Sequence, residues 1–186
     1  MANSDLLNEG FLRDTADFLG GLDKHVADYL LSYVVTEHVE LFESLQVCES
    51  PIEQLLCIAL LDAIDNLYHR YDREKIWFIL RPQFEIEVDS KAFRLDFSLL
   101  VVENPLTESA KKTPIAIECD GHAFHEKTKG QAKRDKARDR LIQLTGHHIL
   151  HYTGSEIWED PDKCAHEIVK FAAKVSGLPD PYRKRG

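Results

Sequence analysis

The segment TPIAIECDGHAFHEK, residues 113–127, decides the fold. Its first half alternates as a strand does, with Ile115, Ile117 and Cys119 on one side and Ala116, Glu118 and Asp120 on the other. The apolar run then ends in Glu118, Asp120, His122 and His125, two carboxylates and two imidazoles within eight residues. Gly121 supplies the conformational freedom for a turn at that point.

The strand needs neighbours, and the preceding residues provide them. AFRLDFSLLVV, residues 92–102, alternates apolar Phe93, Leu95, Phe97 and Leu99 with polar Arg94, Asp96 and Ser98. ENPLTESAKKT, residues 103–113, is polar and contains proline, so it reads as a loop. The two strands are expected to pair antiparallel. With Val102 near Pro114, Asp96 lies opposite Glu118 or Asp120. A one-residue slip would send the apolar side chains into water, so the register is well specified to within two residues. Three carboxylates on one sheet face repel and raise one another's pKa. A divalent cation resolves such a cluster, and an all-oxygen set suits Mg²⁺ or Mn²⁺. Scattered surface acids are the plainer alternative.

The remaining elements surround this hairpin. IWFILRPQFEIEV, residues 76–88, and HHILHYTGSEIW, residues 147–158, read as further strands. Residues 23–45 read as one amphipathic helix. A second helix starts in ESPIEQLL, with Ser50 as N-cap, Pro51 at the first helical position and Glu53 at the capping-box position. Glu53 falls at the edge of that helix's apolar stripe, so it reads equally as a cap or as a partly buried ligand. GQAKRDKARDRLIQLTG, residues 130–146, is a basic helix, and Asp160 and Pro161 open a last one. The order α-α-β-β-β-α-β-α implies an α/β domain with a mixed central sheet flanked by helices. The expected division is an N-terminal helical extension over 1–48, a main domain over 49–177 and a flexible tail over 178–186.

Charge narrows the function. The net charge of −9 argues against a generic nucleic-acid binder. The halves differ, however. Residues 1–90 hold 6 Lys/Arg against 18 Asp/Glu, and residues 91–186 hold 17 against 14. Residues 127–140 alone hold seven basic and two acidic side chains, so a polyanion would meet the second half. That helix can also be an ordinary solvated face with local Arg–Asp pairs. Four scattered cysteines, no apolar run of membrane length and no signal-peptide pattern lead to the expectation of a cytoplasmic protein without a membrane partner.

These pieces together resemble the PD-(D/E)XK, restriction-endonuclease-like nucleases, and within them the Vsr-like branch of very-short-patch-repair endonucleases. The likeness rests on a helix-borne Glu53, then RLDF, then IECDG with a histidine, then an Arg-Asp helix, a glycine and a hydrophobic strand, over about residues 49–157. The resemblance implies a metal-dependent endonuclease using Mg²⁺ or Mn²⁺. It implies Asp96 and Glu118 as metal ligands, with the Cys119 carbonyl and Glu53 beside them. Asp120 stands where many members have lysine. The general base is then Asp120, His125 or His122, and Lys133 or Lys136 is a candidate for the missing positive charge. Arg134 and Asp135 match the family's Arg-Asp pair, and Lys133, Arg134, Lys136 and Arg138 are candidates for contact with nucleic acid. His147, His148 and His151 read as ordinary strand residues, of which only His151 shares a face with Ile149. DNA is the expected substrate, with RNA also open. A homodimer through residues 1–48 is a further expectation, and a non-catalytic binding subunit is the alternative.

Overall fold

The computed structural model describes residue 15, residues 17–121 and residues 129–183, the side chains of 37, 129 and 132 aside. The chain divides into two compact units, residues 1–42 and 43–186. In the first, α1 (Lys24–Glu37) is capped by the Asp23 carboxylate, which accepts the His25 N–H at 2.9 Å. The single helix expected over 23–45 is broken at His38, and α2 (Val39–Val47) follows, with the division falling inside it. The break has a local cause. Val34, Val35 and Thr36 are β-branched, and the Thr36 hydroxyl turns back onto the Ser32 carbonyl at 2.8 Å, a bond that weakens a helix end.

The second unit holds α3 (Pro51–Leu67), β1 (Ile76–Val88), β2 (Lys91–Glu103), β3 (Lys111–Asp120), α4 (Lys129–Leu144), β4 (His148–Thr153), α5 (Gly154–Glu159) and α6 (Pro161–Val175). The sheet order is β1-β2-β3-β4. β1, β2 and β3 run antiparallel in turn, and β4 joins β3 in parallel after the α4 crossover. This is the mixed α/β sheet the sequence implies.

Three details depart from expectation. Pairing extends into the expected 103–113 loop, because Lys111 pairs with Glu103 both in the ladder and through a 2.8 Å ion pair. The register is Leu100 with Pro114, two residues from the value anticipated, and continuing it sets Asp96 across from Glu118 rather than Asp120. The strand expected over 147–158 stops at Thr153, whose side chain forms a capping box with Glu156 and starts α5.

Two apolar clusters sandwich the sheet. Leu56, Leu60 and Leu67 of α3, Ile157 of α5 and Ile168, Val169 and Ala172 of α6 pack with Phe97, Leu99, Val101, Ile115 and Ile117. The second cluster joins Ile142 of α4 to Leu95, Ala116, Phe84, Ile86, Phe93 and Ile149. Leu95 and Phe97 are two apart in one strand, both fully buried, yet they belong to different clusters. The alternation read across residues 93–99 therefore does not carry through Asp96. The change coincides with Gln83, opposite Asp96 in β1, whose φ of +48° lies in the left-handed region. The ladder pairs 82 with 97 and 84 with 95 but skips the Gln83–Asp96 step.

Residues 178–183, expected as a tail, are held to the body. The Tyr71 hydroxyl donates to the Pro179 carbonyl, Lys170 meets Asp180 at 3.3 Å, and Tyr182 stands edge-on to His166 at 4.8 Å between ring centres. Among the described residues no helix is long and apolar enough to cross a membrane.

Candidate active site

Asp96 sits where the β1–β2 ladder is interrupted, and its carboxylate takes over a backbone role. Oδ2 accepts the Cys119 N–H at 2.7 Å, tying β2 to the end of β3. Burial raises the Asp96 pKa above the usual carboxylate range. The Cys119 bond works against that rise, and Glu53 and Asp120 add to it. Glu118 is raised as well, chiefly by burial, although Arg138 of α4 donates to its Oε1 at 3.0 Å. Burial pulls Arg138 down, and its bond to Glu118 more than reverses this. The same guanidinium donates to the Arg94 carbonyl at 2.7 Å, so Arg138 clamps β2 and β3 together from α4.

Glu53 enters from α3 and is buried, 7% exposed. The Ser50 hydroxyl accepts the Glu53 N–H at 3.3 Å, as the capping box requires. The return bond differs from the usual box. Glu53 Oε2 accepts the Glu49 N–H at 2.8 Å, and Oε1 accepts the Ser50 hydroxyl at 2.7 Å. Glu53 Oε2 also accepts Gln83 Nε2 at 2.7 Å. The cap reading of Glu53 is thus realised, and its carboxylate still raises Asp96 and Cys119 electrostatically. Gln83 carries two costs. A non-glycine residue held at positive φ costs roughly 1–3 kcal/mol. Its Oε1 is buried and no donor reaches it among the described residues, which costs about 1–3 kcal/mol more.

Asp120, at the lysine position of the resemblance, meets His151 of β4, with Oδ2 3.1 Å from Nδ1. The other ring nitrogen of His151 lies 3.3 Å from Asp139 Oδ2 on α4. Lys133, Arg134 and Lys136 are exposed on α4, whereas Arg138 and Asp139 turn inward. A second Arg-Asp pair, 138–139, one helical turn beyond 134–135, reaches Glu118 and His151. Arg138 places a positive charge beside Glu118. Periodicity held the signal: Ile142, fully buried, puts Arg138 and Asp139 on its own face at i−4 and i−3. His151 was legible only through its shared parity with Ile149. Gln83 left no signal in sequence. His122 and His125 lie outside the described residues.

Residues 80–171 match the family model REase_MTES_1575. That family is restriction-endonuclease-like. The match supports the PD-(D/E)XK superfamily and points, at family level, to a nuclease. No curated protein and no solved structure matches the chain. The matched stretch runs from the middle of β1 into α6, so it contains Gln83, Asp96, Glu118, Asp120, Arg138, Asp139 and His151. Glu53 lies outside it, and its place at the site rests on geometry alone.

The donor chemistry of this centre fits a hard divalent cation. Asp96, Glu118, Glu53 and the Cys119 carbonyl offer only oxygen, and Gln83 Oε1 is a buried acceptor that no donor reaches among the described residues. Among the described residues no three His, Cys, Asp or Glu side chains are already gathered into a cage.

Proposed function

We propose that the protein is a metal-dependent nuclease that hydrolyses phosphodiester bonds, with DNA as substrate. The observation that supports this most is the meeting of Asp96, Glu118 and Arg138 at the β2–β3 end inside the matched segment. In this reading Asp96, Glu118 and the Cys119 carbonyl hold Mg²⁺ or Mn²⁺, and Glu53 closes the same cleft from α3. A cation there supplies water activation and stabilises phosphoryl charge. Asp120, positioned by His151, accepts the proton of the attacking water. Arg138 keeps Glu118 aligned, and the exposed Lys133, Arg134 and Lys136 meet the phosphate backbone.

Nicking of supercoiled plasmid with Mg²⁺ or Mn²⁺ tests the reading. Asp96→Ala and Glu118→Ala are expected to lower the rate by about 100-fold or more with the circular-dichroism spectrum unchanged. Cutting at wild-type rate by both variants overturns the assignment. A panel of single-stranded, duplex, mismatched and RNA substrates then identifies the target.

One observation favours a second reading, a non-catalytic nucleic-acid-binding subunit. Arg138 already neutralises Glu118, the carboxylate a cation would need. Calorimetry with Mg²⁺ and Mn²⁺ separates the two, since a binding subunit of this kind gives no heat with either metal at neutral pH.

A further inference from the structure

Gln83 combines features that protein stability alone does not explain. It is the one residue of β1 held at positive φ, and it stands at the skipped step opposite Asp96. Its Nε2 is bound to Glu53 at 2.7 Å, which orients the amide and sends Oε1 the other way. Oε1 is buried without a donor. The group that holds its amide is a carboxylate, Glu53, and Asp96 stands opposite in β2, close enough to Glu53 for the two carboxylates to repel. A carbonyl oxygen among carboxylates is satisfied by a cation, by water or by a protonated carboxyl. A neutral amide oxygen is also an ordinary ligand of hard divalent ions.

We propose that Gln83 is a further ligand of the divalent cation read at Asp96 and Glu118, with Oε1 reaching the ion and Nε2 locking the amide against Glu53. The inference rests on the metal-dependent reading above. It adds a neutral oxygen from β1 to an otherwise anionic set and gives the left-handed backbone at residue 83 a purpose. The backbone there aims a side chain that a regular strand would place elsewhere.

The test is binding of Mn²⁺ alone to the full chain, measured by titration calorimetry without nucleic acid. Gln83→Met keeps the bulk and removes the oxygen. Gln83→Gly removes the side chain and accepts φ +48° freely, so it covers the case in which the Met variant fails to fold. Both are expected to bind Mn²⁺ about tenfold more weakly than wild type. Gln83→Glu keeps an oxygen but loses the donation to Glu53, and it is expected to bind at least as tightly as wild type. If Gln83→Glu is as weak as Gln83→Met, Gln83 acts only by positioning Glu53 and the ligand role is overturned. If wild type and Gln83→Met bind Mn²⁺ equally, the inference fails while the metal-dependent reading stands. If wild type binds no Mn²⁺, both fall.

Discussion

A buried carboxylate, Glu53, and a half-buried one, Glu118, flank Asp96, and they are held in opposite ways. Glu53 is surrounded by neutral donors from its own turn and from Gln83, namely the Glu49 N–H, the Ser50 hydroxyl and an amide. Glu118 is held by a guanidinium that arrives from another element. The first arrangement is local and forms with the helix terminus. The second exists only after α4 has packed across the sheet. Neutral donors fix a carboxylate's position without cancelling its charge, whereas Arg138 cancels charge as well as fixing position. Glu53 is thus held by neutral donors, whereas the charge of Glu118 is compensated by Arg138, whose bond favours its ionised form.

The strongest way to break this comparison is to remove one charge at a time. Glu118→Gln is expected to reduce plasmid nicking by about 100-fold, and Glu53→Gln by about tenfold. Equal losses would mean that the two carboxylates do the same work. Next comes Arg138→Ala, which leaves Glu118 buried with no cation beside it. Breaking a fully buried pair costs about 3–5 kcal/mol. Here the Arg138 side chain is 26% exposed, so about 2 kcal/mol is expected, read as a fall in chemical-denaturation stability. Ser50→Ala removes the cap on the other side and is expected to cost about 1 kcal/mol, with Glu118 untouched.

The smallest effect is one of pH. Asp96 is held above its ordinary value of 3.8 in the folded chain, so its ionisation penalises folding. That penalty is absent below 3.8, grows as pH rises above it, and is complete once pH has passed the raised value. Asp96→Asn is therefore expected to melt above wild type at pH 7 in metal-free buffer, with the gap closing as pH falls toward 3.8. The amide oxygen of Asn still accepts the Cys119 N–H, so the comparison isolates charge. A gap that stays constant with pH would show that Asp96 carries no such penalty.

What could be read in advance follows from which forces are local. The Ser50–Pro51–Glu53 start of α3 was legible because a cap is decided within four residues. The alternation of residues 113–120 set β3 and its faces, and with β2 it brought Asp96 to Glu118 within a two-residue uncertainty. A hairpin loop of unknown length leaves that much open, and the Lys111–Glu103 pair closed it. The break at His38 was written in Val34, Val35 and Thr36, although the apolar period there disguised it. The start of α5 was written in Thr153 and Glu156 and hidden behind a strand-like run.

The sequence by itself determined the mixed α/β order, the acidic end of β3 and the basic character of α4, because each depends on periodicity or on composition along a few turns. Only the tertiary structure decided which basic residue meets Glu118, that His151 meets Asp120, and that Gln83 holds Glu53. Those contacts span 20 residues from Glu118 to Arg138, 31 from Asp120 to His151 and 30 from Glu53 to Gln83. No local pattern encodes them. They arise from the rotation of α4 about its axis, set by Ile142 in the second core, and from the turn of the β1–β2 ribbon at Gln83.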